Sequence, residues 1–318
     1  MKKLINTICP SLLLTMIAIF ASCSTEVTYE AQSPKVSNTK VVKKLQNVNL
    51  ELMSTVPAET RGWRRWSLKQ KMNVITADIG GAWGGGKIGG RIGGWVGMSC
   101  GNPITGCVFG ASVGAIVGGA YGSWLASPGT RAIATPNNSL SIEKACKILM
   151  NDDMSINENA IKTTDRTINN KLDVDNRLLI ESKLDDNSLN IGKVHNLILS
   201  VMDGTVILQN KDLPDSSSIK EALFNSDKLI DSCKIAGTEA SIGNLLTSDA
   251  MLSKIMELFN QVLEEYASKT DDVAFIVGKY VDIIENSQEL TSEQKKSIKS
   301  GLATALYSSK YWELTSDK

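Results

Sequence analysis

His195 is the single histidine in 318 residues, and upstream of it stands Gly110-Ala111-Ser112-Val113-Gly114. A serine between glycines at that spacing matches the nucleophile elbow of α/β-hydrolases, and the acids between Ser112 and His195 keep that triad's chain order. The elbow requires a strand-turn-helix, however, and Ser112 falls inside a four-residue glycine period, so no acyl-transfer triad is expected. Gly84, Gly86 and Gly89 satisfy a dinucleotide fingerprint, yet no strand precedes them and the chain is uncharged where the ribose-binding acid belongs. Gly81 to Lys87 mimics a phosphate loop, but Ile88 occupies the place of the magnesium-binding Ser or Thr. Asp173, Asp175, Asp185, Asp186 and Asn187 lack the glycine and terminal glutamate of an EF-hand loop and read as solvated helix ends. Asp271-Asp272 reads as the first turn of a helix, where negative charge favours the dipole. His195 reads as a helix-surface or partly buried imidazole bonded to Asn196 or to backbone. No catalytic set, metal or cofactor is expected, and the chain reads as non-enzymatic.

The cysteines carry more. Lys2 and Lys3 precede an apolar run from Leu12 to Phe20 that is too short for an ordinary membrane span. It ends in Phe20-Ala21-Ser22-Cys23, which resembles the lipobox of bacterial lipoproteins, with Phe20 in place of the usual Leu. The resemblance implies that residues 1–22 are a lipoprotein signal peptide and that Cys23 is acylated; plain cleavage near Ala21 is the alternative. Acyl chains contribute about 0.8 kcal/mol per buried methylene, enough for two or three of them to anchor a chain. Ser24-Thr25-Glu26 places no Asp after the cysteine, which by resemblance to lipoprotein sorting implies export to the outer membrane or cell surface. Four cysteines remain, Cys100, Cys107, Cys146 and Cys233, in a compartment where disulfides persist. Cys100 and Cys107 bracket a turn-forming Gly101-Asn102-Pro103-Ile104-Thr105-Gly106, so a disulfide there could staple two helix ends; buried thiols are the alternative. A zinc site would need more Cys or His than these.

The elements that hold these residues follow from glycine placement. Seventeen of the 25 glycines lie between Gly80 and Gly122. Gly81, Gly85, Gly89, Gly93 and Gly97 recur every four residues, as do Gly106, Gly110, Gly114, Gly118 and Gly122, which puts each set on one helix face. Each glycine costs a helix about 1 kcal/mol against alanine, a cost offset when two backbones approach closely enough for dispersion and Cα–H···O contacts. With the turn at 100–107, residues 63–130 are expected to form an antiparallel glycine-zipper hairpin. It resembles the glycine-zipper domains of bacterial envelope lipoproteins and the Gly-rich hairpins of some bacteriocins. No charged residue lies from Ile92 to Thr130, and Ile104 to Ala126 would reach roughly 35 Å as a helix, enough to cross a bilayer. Asp78, Lys87 and Arg91 make the first helix a poor span.

Residues 23–62 read as a polar tether, closed by Trp63-Arg64-Arg65-Trp66, a composition suited to a membrane interface or to a helix start. Residues 140–314 read as a helical domain, with stripes such as Ile191, Val194, Leu197, Ile198, Val201 and Met251, Leu252, Ile255, Leu258, Phe259, Val262. Thr291 and Gln294 form a capping box, and Val206 to Leu208 reads as a short strand with no evident partner. The expected fold class is all-α. Balanced charge, 34 Lys plus Arg against 34 Asp plus Glu, removes the electrostatic case for nucleic acid. The lipobox, the hairpin, Ile191-Gly192-Lys193-Val194-His195-Asn196 and Ser308-Ser309-Lys310-Tyr311-Trp312 together resemble uncharacterised glycine-zipper lipoproteins of Bacteroidota. The expected partners are a bilayer, through acylated Cys23, and like hairpins, through the zipper. A pore-forming antagonist is the alternative.

Overall fold

The structure is a computed structural model that describes residues 36, 39–55, 65–127, 141–162, 173–209, 218–241 and 249–315. All of these fall in one compact unit, Ser33–Lys318; the other unit, Met1–Gln32, lies outside the described residues. Cys23, the signal segment and Trp63-Arg64 therefore also lie outside them.

The fold is all-α. Among the described residues there are eleven helices: α1 Lys40–Ser54, α2 Arg65–Ser99, α3 Pro103–Ala126, α4 Ile142–Leu149, α5 Asn176–Ser182, α6 Asp186–Met202, α7 Ser218–Phe224, α8 Asp227–Ser241, α9 Ala250–Tyr266, α10 Thr270–Glu285 and α11 Ser292–Thr315. Local chemistry explains many of the boundaries. Asn102 caps α3 by accepting from Thr105 N–H, with Pro103 in the first turn, where its missing donor costs nothing. Asp185 and Asp249 cap α6 and α9 in the same way, and Thr291 and Gln294 exchange the two bonds of a capping box ahead of α11.

Helices α2 and α3 pack antiparallel along their length, and α6, α8 and α11 lie against them. The hairpin joins two hydrophobic cores. In one, Ile75, Ile79 and Trp83 of α2 meet α1, α9, α10 and α11; in the other, Val113, Ile116 and Val117 of α3 meet α4, α6 and α8. The expected division at residues 130–140 into hairpin and helical domain is thus corrected: the hairpin is the spine of the helical body.

The expectation that residues 23–62 are a tether is corrected for residues 40–54. Val41, Val42, Leu45 and Leu52 of α1 are buried because they recur on one face that docks on α9 and α10. Asn49 secures the contact, its amide donating to Leu258 O at 2.7 Å and its oxygen accepting from Tyr280 Oη at 2.8 Å. The strand at Ile207–Leu208 has a partner after all, Ile161–Lys162, in an antiparallel pair that matches Ile161 with Leu208.

Candidate functional site

The zipper positions everything else. A Cβ built on Gly81 would lie 2.2 Å from Gly118 O, on Gly85 2.0 Å from Gly114 O, on Gly89 2.1 Å from Gly110 O and on Gly93 2.1 Å from Gly106 O; Gly118, Gly114, Gly110 and Gly106 return the same contacts at 2.1–2.3 Å. Each pair of numbers sums to 199, so one register runs the length of the hairpin. Gly97 against Asn102 O at 2.5 Å and Gly122 against Ala77 O at 2.4 Å complete it. Carbonyls fill the space a methyl group would need, which gives the close packing that offsets the helix cost of glycine. All ten zipper glycines are thus spent on each other or on backbone inside the hairpin, and a second copy could use them only after α2 and α3 parted. A third backbone closes in as well: a Cβ on Gly237 of α8 would meet Gly118 O at 2.5 Å.

At the open end of the hairpin lies a polar cluster inside the protein. Asp78 of α2 and His195 of α6 are both 0% exposed, with His195 Nε2 3.9 Å from Asp78 Oδ2. Ser308 of α11 donates to that same Oδ2, and Ser123 of α3 and the Trp312 indole lie beside the carboxyl. Burial pushes Asp78 up to about 8, more than Ser123, Ser308 and Trp312 pull it down. Burial likewise pushes His195 down to about 4, opposed by Asn196 and by Gly119 backbone. At neutral pH a protonated carboxyl therefore faces a neutral imidazole, which avoids the cost of burying a charge. The two motifs quoted above meet here. Asn196 donates to Tyr307 O at 2.6 Å, Tyr311 Oη donates to Asp203 Oδ2 at 2.6 Å, and Gly192 gives passage to Tyr307 and Ala303.

Chemically the cluster is a tie between helices. Hydroxyl and imidazole both address the carboxyl, whereas nucleophile activation needs the hydroxyl on the imidazole. Ser112 lies elsewhere, inside α3, its hydroxyl donating to Val108 O at 3.1 Å. Asp175 and Asp185 cap helices, and Asp173 pairs with Lys193 at 3.5 Å, as expected of solvated helix ends. No group of three or more His, Cys, Asp or Glu suited to a metal occurs among the described residues. Cys100, Cys107, Cys146 and Cys233 are all thiols, so the staple between Cys100 and Cys107 is not formed in this structure. Burial pushes the Cys146 and Cys233 thiols up, which suppresses thiolate chemistry.

Sequence reasoning missed Asp78 as the neighbour of His195 and Ser308 as the donor to Asp78. A signal existed: Asp78 is the only acid from residue 60 to residue 142, and a lone carboxylate on a close-packed helix must find hydrogen bonds or a proton.

The closed end of the hairpin is different. Trp95 is 66% exposed and Ile104 75%, while Met98, Cys100 and Val108 are partly exposed. Of the described helices, only α3 is long and apolar enough to cross a membrane, and 67% of its most apolar window is buried inside the protein.

Comparison with known proteins finds no family model, no curated protein and no solved structure that matches the chain.

Proposed function

We propose that the chain is a non-enzymatic lipoprotein of the cell envelope, held at an outer-membrane or surface bilayer by acyl chains on Cys23, with the glycine-zipper hairpin as the spine of its folded body. The zipper register carries this reading. Because the glycine faces are occupied within the hairpin and α6, α8 and α11 cover its flanks, attachment falls to Cys23. The sequence around that cysteine supports acylation, and the acyl chains supply sufficient affinity without a membrane span. The non-enzymatic part rests on the inaccessibility of His195 and on a Ser308 hydroxyl bonded to carboxyl rather than to imidazole. Pore formation by the hairpin would require it to part from the helices packed on both of its flanks, and nothing in its packing favours that.

Mass spectrometry of the mature N-terminus tests the proposal. A diacylglyceryl-modified Cys23 as first residue is expected. A mature chain that begins near residue 22 without lipid refutes lipid anchoring.

A further inference from the structure

The closed end of the hairpin combines three independent features. First, the zipper register sets Trp95 and Ile104 at one height, since they too sum to 199. Each lies two residues from its own zipper glycine, Gly93 or Gly106, and so about 200° around the helix. Among the described residues of the hairpin, its two most exposed apolar side chains therefore stand on opposite outer flanks of the same tip. Second, the turn meets many of its polar groups internally. Cys100 N–H donates to Val96 O, Gly101 N–H to Met98 O and Asn102 N–H to Gly97 O; Gly106 N–H donates to Asn102 O, Thr105 N–H to Asn102 Oδ1 and Ser99 Oγ to Val96 O. Each such bond lowers the cost of leaving water, and the groups that remain suit the hydrated interfacial layer rather than the hydrocarbon core. Third, charge stops abruptly. Arg91, exposed one helical turn behind Trp95, is the last charged residue before the tip, and none follows through Thr130.

We propose that this tip, residues 92–107, dips into the interfacial layer of one leaflet of a phospholipid bilayer, with Arg91 at the level of the phosphates. The inference rests on the reading that acylated Cys23 holds the chain at a bilayer. A protein groove would cover one flank and leave the other in water, whereas lipid surrounds both. Trp95 suits the interface, where an indole keeps its ring in the apolar region and its N–H among polar groups. Depth follows from helix rise. From Arg91 to Ser99 the helix advances about 12 Å, which reaches the upper acyl chains and falls far short of the roughly 30 Å hydrocarbon core. The tip is a second contact that would orient an anchored body, and it does not span.

The tip carries its own probe sites, because Cys146 and Cys233 are 0% exposed. An environment-sensitive dye is attached to Cys100 in the full acylated Cys107→Ser protein, reconstituted in phosphatidylglycerol and phosphatidylethanolamine liposomes. A second preparation carries the dye on exposed α9 through Glu264→Cys, with Cys100→Ser and Cys107→Ser. The Cys100 dye is expected to shift to the blue and to be quenched by nitroxides near the carbonyl end of the acyl chains, while the α9 dye is not. Trp95→Ser with Ile104→Ser should cut the dipped fraction at least about tenfold, the effect of losing one buried Ile side chain, with helix content and anchoring unchanged. A Cys100 dye as wet as the α9 dye, on protein that floats with the liposomes, overturns the dipping tip and leaves the anchor standing. Quenching strongest at the bilayer centre overturns the one-leaflet depth. Protein that fails to float with liposomes overturns both the anchor and the tip.

Discussion

Replacing Asp78 by asparagine should make the protein more resistant to alkali. In the folded chain the Asp78 carboxyl keeps its proton up to about pH 8, against 3.8 for an ordinary aspartate, because burial opposes the charge. Between those values the folded state binds one more proton than the unfolded state, so stability falls as pH rises, by about 1.4 kcal/mol per unit, and levels off above pH 8. From pH 6 to pH 9 the wild type should therefore lose about 3 kcal/mol through this residue. The amide introduced by Asp78→Asn has no proton to lose and can still accept from Ser308, so at pH 6 the two proteins should lie within about 1 kcal/mol of each other. Urea unfolding followed by circular dichroism at pH 6, 7, 8 and 9 measures both. Groups that titrate alike in both proteins cancel in the difference. Parallel stability curves for the two proteins would falsify the assignment of a buried, protonated Asp78.

The same cluster predicts acid behaviour. His195, held down at about 4 by burial, costs stability as pH falls from 6.5 to 4, while Asp78 returns a similar amount over that window; the wild type should be nearly flat there and Asp78→Asn should lose about 3 kcal/mol, as read by the same titration. At the zipper, Gly89→Ala drives a methyl to 2.1 Å from Gly110 O and should cost about 3 kcal/mol or more, whereas Gly94→Ala, whose nearest neighbour is Cys107 Cβ at 3.8 Å, should gain up to about 1 kcal/mol from helix propensity. Thermal unfolding of the pair should move the midpoint in opposite directions. Leu45→Ala, at a side chain with 0% exposure, should cost about 2–5 kcal/mol in urea unfolding; a change within about 0.5 kcal/mol would return residues 40–54 to a tether.

The hairpin was legible in the sequence because a spacing of four and a turn composition are local signals, and the register follows once both helices are drawn. The helix end at Asp185 and the capping box at Thr291 were equally local. What the sequence hid was association across distance. The face of α1 made by Val41, Leu45, Val48 and Leu52 has a helical period, but the many Lys, Asn and Gln residues between them gave the segment a tether's composition. Its docking depends on Leu258 and Tyr280, more than 200 residues on. Asp78 and His195 are 117 positions apart and come together only because α6 packs against α3 and α11. Nothing in the spacing of Gly84 and Gly237 marks them as neighbours across the fold; Gly84 against Ala236 Cβ at 3.1 Å and Gly237 against Gly118 O make them the seat of α8.

The docking of α1 on α9 and α10 also sets an order in time. The hairpin closes through a turn of a few residues and can form as soon as about residue 126 has emerged, since short loops cost little entropy and close fast. The first helix has no such local partner. Its apolar face must wait, solvated or shielded, until residues 250–285 arrive, a delay set by chain length rather than by chemistry. A chain cut short before Glu285 should thus keep its hairpin and lose its beginning, and proteolysis should strip residues 40–54 from such a fragment before it touches the zipper.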